Sequence, residues 1–378
     1  MKQLITLLIV LLGFKSAYAQ IRYLPKFVRR MYFNEDTSRR NSFVVLPVLN
    51  SAPETGLELG AAGLYSFYTD TIHRDTRVSN VFGYATITTK AQYRFSLSTS
   101  YWTSQNKFHY IADISYIYFP FDFYGIGNNT SAADKENVNQ TRSKFDFDGE
   151  MLLGGNFYIG YVFGAFHYHF TSDDPKSLLY TDPEIQSRYG GASVFIGPSL
   201  TFDNRNNNTY TTKGVFVRSY LNLMQGLFDN NGYQGSFFDI EYSQFFSISK
   251  KFVLGLDAEE QSLLGGSSPF YLMPQMGSDE LMRGYYTGRY RDRNYIAGQA
   301  ELRYRIVKSF GIVGFIGTGE VFRSNFTFPE LKSNYGGGIR YFFDVQKGLS
   351  VRIDYGVGGK PAGEKRETGL YVGLGQAF

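Results

Sequence analysis

From Asn294 to Ile306 apolar and polar residues alternate: Ile296, Gly298, Ala300, Leu302, Tyr304 and Ile306 fall on one face, Gln299, Glu301, Arg303 and Arg305 on the other. Full charges at consecutive positions of one face fit a wet interior better than a dry protein core. The pattern recurs along the chain. Phe145, Phe147, Gly149 and Met151 oppose Lys144, Asp146, Asp148 and Glu150; Phe252, Leu254, Leu256 and Ala258 oppose Gly255, Asp257, Glu259 and Gln261; Leu349, Val351, Ile353 and Tyr355 oppose Ser350, Arg352 and Asp354. Turning such charges into lipid would cost about 2 to 4 kcal/mol each near the bilayer midplane. The charged face therefore lines a lumen and the apolar face meets lipid.

Cut on this pattern, the chain predicts sixteen strands starting near residues 43, 55, 76, 91, 107, 143, 157, 189, 214, 234, 252, 294, 310, 334, 349 and 368. Each has room for the roughly 9 to 11 residues that a tilted transmembrane strand needs. Short links at Thr103 to Lys107, Gly155-Asn156, Ser247 to Lys251, Val307 to Ser309 and Asp344 to Gly348 alternate with longer ones at Phe119 to Arg142, Thr171 to Arg188, Gln225 to Tyr233, Leu263 to Arg293, Arg323 to Ser333 and Gly359 to Glu367. Outer-membrane barrels place short turns in the periplasm and long loops outside. The predicted fold class is thus all-β, a 16-stranded antiparallel transmembrane β-barrel, and the loop containing Arg283 is its sixth external loop.

Composition agrees with this. Aromatics make up 18% of residues, with 31 Tyr and 35 Phe against a single Trp, which suits aromatic girdles at the two membrane interfaces. Lys2, the apolar run Leu4 to Gly13 and Ala17-Tyr18-Ala19 read as a cleavable secretory signal over residues 1–19. Residues 20–42 form a short basic periplasmic leader, with Arg22, Lys26, Arg29, Arg30, Arg39 and Arg40 against Glu35 and Asp36, and residues 43–378 form the barrel. The formal charge is +4, falling to +2 once Lys2 and Lys15 leave with the signal, too little to imply a nucleic-acid partner. The chain has no cysteine, so it has neither a disulfide framework nor a lipoprotein attachment site.

No residue set marks catalysis. The lumenal carboxylates Asp146, Asp148, Glu150, Asp239, Glu241, Asp257, Glu259 and Glu301 lack an accompanying nucleophile motif and read as the lining of a hydrated lumen. His167 and His169 share a strand face, yet no third ligand is spaced to complete a metal site with them. Nothing in the sequence marks a Ser, His and orienting acid placed together, and Gly358-Gly359-Lys360-Pro361 lacks the earlier glycine and the following Ser or Thr of a phosphate loop. The expectation is a protein that is not an enzyme, with no cofactor and no metal.

Leu281-Met282-Arg283-Gly284-Tyr285, followed by Gly288, Arg289, Asn294 and Glu301-Leu302-Arg303, resembles the lumenal loop and following strand of BamA/TamA-like outer-membrane proteins, the bacterial surface antigen superfamily. Gly197 to Arg205 with Thr212-Lys213-Gly214 resembles that family's mid-barrel strand and turn, and Gly336 to Arg340 through Leu349 to Gly356 and on to Phe378 resembles its closing strands. The resemblance implies a sixth external loop folded into the lumen, where Arg283, within the motif Met282, Arg283, Gly284 and Tyr285, pairs with acidic residues of the next strands. Glu301 matches one such partner. The second is expected as an aspartate within Phe315 to Gly319, but this chain carries Gly317 there, which leaves Glu320 as a possible substitute. The resemblance also implies a weak seam between first and last strands, where Pro47 removes a ladder donor and Phe378 ends the last strand like the aromatic signal of barrel assembly. It implies a protein of the bacterial outer membrane, in contact with its lipid, that assists insertion or translocation of proteins or lipids with periplasmic or outer-membrane assembly subunits and client proteins as partners. Relatives with that role usually carry polypeptide-transport-associated domains before the barrel, for which the leader is too short. The alternative is a passive or loop-gated pore, or a structural barrel, with Gly265 to Arg293 as plug.

Overall fold

The computed structural model describes residues 41–52, 55–227, 233–266 and 268–378. The expected signal peptide, and the leader up to residue 40, lie outside the described residues. Seventeen strands run through the described residues: β1 (Ser42–Ala52), β2 (Gly56–Phe67), β3 (Ser79–Thr88), β4 (Tyr93–Trp102), β5 (Phe108–Tyr118), β6 (Phe121–Phe123), β7 (Glu136–Gly154), β8 (Phe157–Thr171), β9 (Gly190–Asp203), β10 (Gly214–Leu227), β11 (Gly235–Ser247), β12 (Phe252–Leu264), β13 (Asn294–Val307), β14 (Phe310–Phe322), β15 (Lys332–Asp344), β16 (Leu349–Val357) and β17 (Thr368–Leu374). All pair antiparallel with their neighbours in chain order, and sixteen of them form the barrel wall. The exception is β6, a short strand laid against the upper part of β7 while β5 pairs with β7 directly. β7 therefore begins at Glu136 rather than near residue 143: Phe121 faces Val138, so the ladder continues past the membrane into an external extension.

The period-two faces hold. On β13, Ile296, Leu302 and Ile306 are exposed outward while Gln299, Glu301 and Arg303 are buried in the interior. On the outer face aromatic rings collect at the periplasmic rim, where Phe157 meets Phe202 at 4.8 Å, Phe252 meets Tyr304 at 4.4 Å and Phe310 meets Tyr341 at 5.0 Å between ring centroids. Such belts hold a barrel at a fixed depth, because the rings favour the headgroup region. The external half of the barrel encloses a dry cluster, with Phe121, Phe123, Phe166, Phe170, Phe270 and Tyr271 at its centre. At the periplasmic end the β9–β10 turn is tied to the β2–β3 link, Arg77 pairing with Asp203 and the Asn208 side chain donating to the Val78 carbonyl at 3.3 Å.

The ring closes weakly. Among the described residues β1 meets β17 at one register position, Ser51 opposite Leu370, whereas β16 and β17 share seven, from Val351 opposite Leu374 to Val357 opposite Thr368. Continuing the β1–β17 register inward would set Pro47 opposite Leu374, where β17 ends. Beyond it Gly375 takes a left-handed backbone (φ 82°) and the chain turns into the lumen. Phe378 is therefore not a seam residue, as the sequence suggested. Its ring stacks on Phe245 at 5.7 Å, and its main-chain oxygen accepts from Arg303 at 2.7 Å. What bridges the periplasmic half of the seam is apolar packing among Val44, Leu64, Phe343 and Leu349, with Val351 and Leu374 against them.

Ile316, 62% exposed in the middle of β14, tests the face assignment. Ile316→Arg is expected to lower stability in liposomes by about 2 to 4 kcal/mol, read from the urea midpoint. A loss below about 1 kcal/mol would mean that this face does not meet the bilayer core.

Candidate functional site

The long segment between β12 and β13 descends into the barrel, and the backbone of Arg283-Gly284 lies flat on β16. That approach needs glycine on both sides. A Cβ on Gly356 would sit 2.5 Å from the Arg283 carbonyl carbon, and one on Gly284 would sit 2.7 Å from the Gly358 nitrogen, while Gly284 itself has φ 108°. Met282 takes a left-handed backbone at φ 56°, a conformation costing roughly 1 to 3 kcal/mol outside glycine. Packing offsets that strain, since Met282 is fully buried with Met276, Leu281, Tyr285, Tyr290 and Val321. Main-chain bonds fix the rest: Asn334 donates to the Arg283 carbonyl at 2.8 Å, the Gly284 N–H donates to the Tyr371 hydroxyl at 2.9 Å, and the Tyr285 hydroxyl donates to the Ser333 carbonyl at 2.8 Å.

The Arg283 side chain is completely buried. One amino group donates to Asp354 at 2.7 Å, the other to Glu301 at 3.0 Å and to the Gln299 carbonyl oxygen at 3.2 Å, and the guanidinium lies 3.5 Å from the Phe315 ring centroid. Glu301 also accepts from Arg303 at 2.8 Å; Asp354 also accepts from Arg340, and Arg352 links Asp354 at 3.4 Å to Asp279 at 2.6 Å. Four arginines from the loop, β13, β15 and β16 thus share three carboxylates.

Arg283 and Glu301 therefore lie together, and the second carboxylate at Arg283 is Asp354, which the alternation of β16 placed in the lumen without marking it as a partner. Glu320 does not substitute. It stands three residues beyond Gly317, so strand alternation turns it to the opposite face of β14, where its carboxylate accepts from Thr327 at 3.3 Å. The signal that would have found Asp354 was the run Ser350, Arg352, Asp354 on the polar face of the strand beside the loop.

Above this knot Arg289 ties the loop to the β16–β17 loop, pairing with Glu364 at 2.5 Å and Glu367 at 2.9 Å, and its carbonyl accepts from Thr130 at 3.0 Å. The Ala132 N–H and then Arg289 hold the Glu364 carboxyl below the usual carboxylate range, while burial pushes Glu367 up. The remaining lumenal carboxylates divide between two settings. Asp148 and Glu150 meet Arg218, whereas Asp239, Glu241 and Glu259 on β11 and β12 have no cation within ion-pair distance among the described residues, and Glu241 stands directly opposite Glu259.

His167 and His169 both lie exposed on the outer face near the external rim, and no group of three metal-ligating side chains occurs among the described residues. One constellation was missed. Ser100 lies 2.9 Å from His109 Nε2, and Glu150 lies 3.1 Å from His109 Nδ1. These residues come from β4, β5 and β7, so only the strand register unites them. Trp102 stacks on the imidazole at 3.6 Å. None of the three lines the lumenal cavity, and the chain of bonds satisfies a buried imidazole.

A ring of antiparallel strands, apolar outside and charged within, with a loop clamped in its lumen, defines a β-barrel of the outer-membrane type. The chain belongs to the Omp85 superfamily, whose domain matches residues 64–378. Among solved structures it is similar to BamA from Haemophilus ducreyi lacking POTRA domains 1–3, at 12% identity and TM-score 0.57 over 91% of this chain and 75% of that one. It is also similar to CdiB from Acinetobacter baumannii (11% identity, TM-score 0.55) and from Escherichia coli (11%, 0.57), covering 89% and 90% of this chain. The chain spans 60% and 63% of the length of those two CdiB chains. No curated protein matches its sequence significantly.

Removing one member of a buried ion pair typically costs about 3 to 5 kcal/mol, because the other charge is stranded. Arg283→Ala is expected to lose that much in urea unfolding, and a double-mutant cycle with Asp354→Asn to return a coupling above about 1 kcal/mol. A smaller coupling would describe a solvent-screened pair.

Proposed function

We propose that this barrel assists insertion or translocation of polypeptides at the outer membrane by transient parting of the β1–β17 seam, with the clamped sixth loop keeping the remaining wall rigid. The observation that carries this reading is that, among the described residues, the seam has one ladder position, Ser51 opposite Leu370, in a wall where the next shortest pairing has seven. Between that position and the periplasm no further β1–β17 ladder pair occurs among the described residues, and a sparsely paired edge is a template for another strand. Pro47 lies in this stretch, opposite Ala61 of β2, and lacks an N–H, so this part of β1 has one ladder donor fewer to offer. Client polypeptides and separate assembly subunits are the partners this reading implies.

The chain has no native cysteine, so Ser51→Cys with Leu370→Cys gives a clean cross-link at the paired position. The oxidised barrel is expected to lose at least nine-tenths of its ability to insert a denatured β-barrel client into proteoliposomes, and reduction to restore it. Full activity in the oxidised state would sink the seam mechanism. Ion conductance that rises on deletion of residues 265–293 and is indifferent to the cross-link would favour the loop-gated pore instead.

A further inference from the structure

A cavity of about 1070 Å³ occupies the lumen, and two of the arginines that line it form no ion pair among the described residues. The side chain of Arg142 on β7 makes no ion pair and no hydrogen bond among the described residues, and its Nε is buried without a partner. Arg291, in the sixth external loop, is 2% exposed; its Nε and one amino group donate to the Gly288 carbonyl at 3.1 Å, and the other amino group has no partner among the described residues. Its guanidinium stands among the rings of Phe123 at 5.2 Å, Phe121 at 5.5 Å and Phe270 at 5.9 Å. Burial lowers its pKa to about 10, which still leaves it charged at neutral pH.

The two arginines are joined by a continuous aromatic wall. Tyr168 lies opposite Arg142 in the β7–β8 register and is 4.8 Å from Tyr271; Tyr271 is 5.4 Å from Phe170, which is 6.4 Å from Phe121 beneath Arg291. The Tyr271 hydroxyl is itself buried without a hydrogen-bond partner. Nearby carboxylates are engaged elsewhere: Glu58 pairs with Arg94 at 2.5 Å, Asp146 with Lys144 at 2.9 Å, and Asp122 with Lys135 at 3.5 Å and Lys90 at 3.7 Å. Two unbalanced guanidiniums, an unpaired phenol and a row of rings lining one cavity form a receptor for a group that is anionic at one end and apolar at the other. The same cavity is bounded by Pro47 and Val48 of β1 and by Val372 and Leu374 of β17, so it extends to the seam.

We propose that the lumen binds a phosphate-bearing amphiphile, its phosphate held by Arg142 and Arg291 with the Tyr271 hydroxyl as donor and its acyl part laid along Tyr168, Phe170 and Phe121. This site is independent of whether the seam parts for polypeptides. Dioctanoyl phosphatidic acid, dioctanoyl phosphatidylcholine and inorganic phosphate serve as probes, titrated by calorimetry into the full-length barrel in a neutral detergent. The phosphatidic acid is expected to bind at least tenfold more tightly than either of the others, because only it presents both an exposed phosphate and an apolar tail. Arg142→Gln and Arg291→Gln are each expected to weaken it about tenfold. The Arg142 side chain makes no hydrogen bond or ion pair among the described residues, so its substitution is expected to leave the fold intact, checked by heat-modifiable migration on gels. Equal binding of the phosphatidylcholine, equal binding of inorganic phosphate, or unchanged affinity in folded Arg142→Gln would each overturn the proposal.

Discussion

The ion knot around Arg283 is the constraint to which the lumen is fitted. A guanidinium with no access to water is tolerable only when carboxylates and hydrogen-bond acceptors surround it. Meeting that condition here takes Glu301 from β13, Asp354 from β16, the Gln299 oxygen and the Phe315 ring at one height in the wall. The loop can deliver its arginine to that height only if its backbone touches β16, hence Gly284 against Gly356 and the left-handed Met282 before them. The same knot fixes the relative position of four consecutive strands. The wall from β13 to β16, which ends one strand short of the seam, is therefore stapled through its interior as well as through its ladders.

Charge within the lumen is sorted by position. The β11–β12 wall carries Asp239, Glu241 and Glu259 without cations, while the β7–β8 side and the loop above it carry Arg142 and Arg291 without anions. Pairing these groups across the lumen would have neutralised both, but the barrel wall holds them apart and Arg218 turns to Asp148 and Glu150.

Much of the wall was legible because alternation against lipid is a two-state choice per residue. A strand that carries Glu301, Arg303 and Arg305 on one face has one tolerable orientation, and the predicted starts at 157, 214, 252, 294, 310, 349 and 368 coincide with the strands found. The pattern fails where lipid no longer enforces it. β7 runs on above the membrane from Glu136, where its residues are no longer sorted into lipid-facing and lumen-facing sets, and its start was placed seven residues late. Phe378 continues the apolar spacing of Leu370, Val372 and Leu374, but the turn at Gly375 and the pull of Arg303 and Phe245 carry it inward. Partners drawn from distant strands were the least accessible. Asp354 for Arg283, and Ser100 with Glu150 for His109, depend on register, and periodicity gives a residue's face but not its height relative to a neighbouring strand.

The seam differs from the wall in the kind of force that holds it. Elsewhere neighbouring strands are joined by long directional ladders, while at the periplasmic half of the β1–β17 junction the described residues show apolar contact among Val44, Leu64, Phe343 and Leu349 in place of a continuing ladder. Attraction of that kind is mainly entropic near room temperature and fades on cooling, unlike a ladder bond. The junction should consequently loosen relative to the rest of the barrel as temperature falls, so that a chilled membrane, whose lipids resist deformation, would surround a protein whose own line of closure has become easier to part.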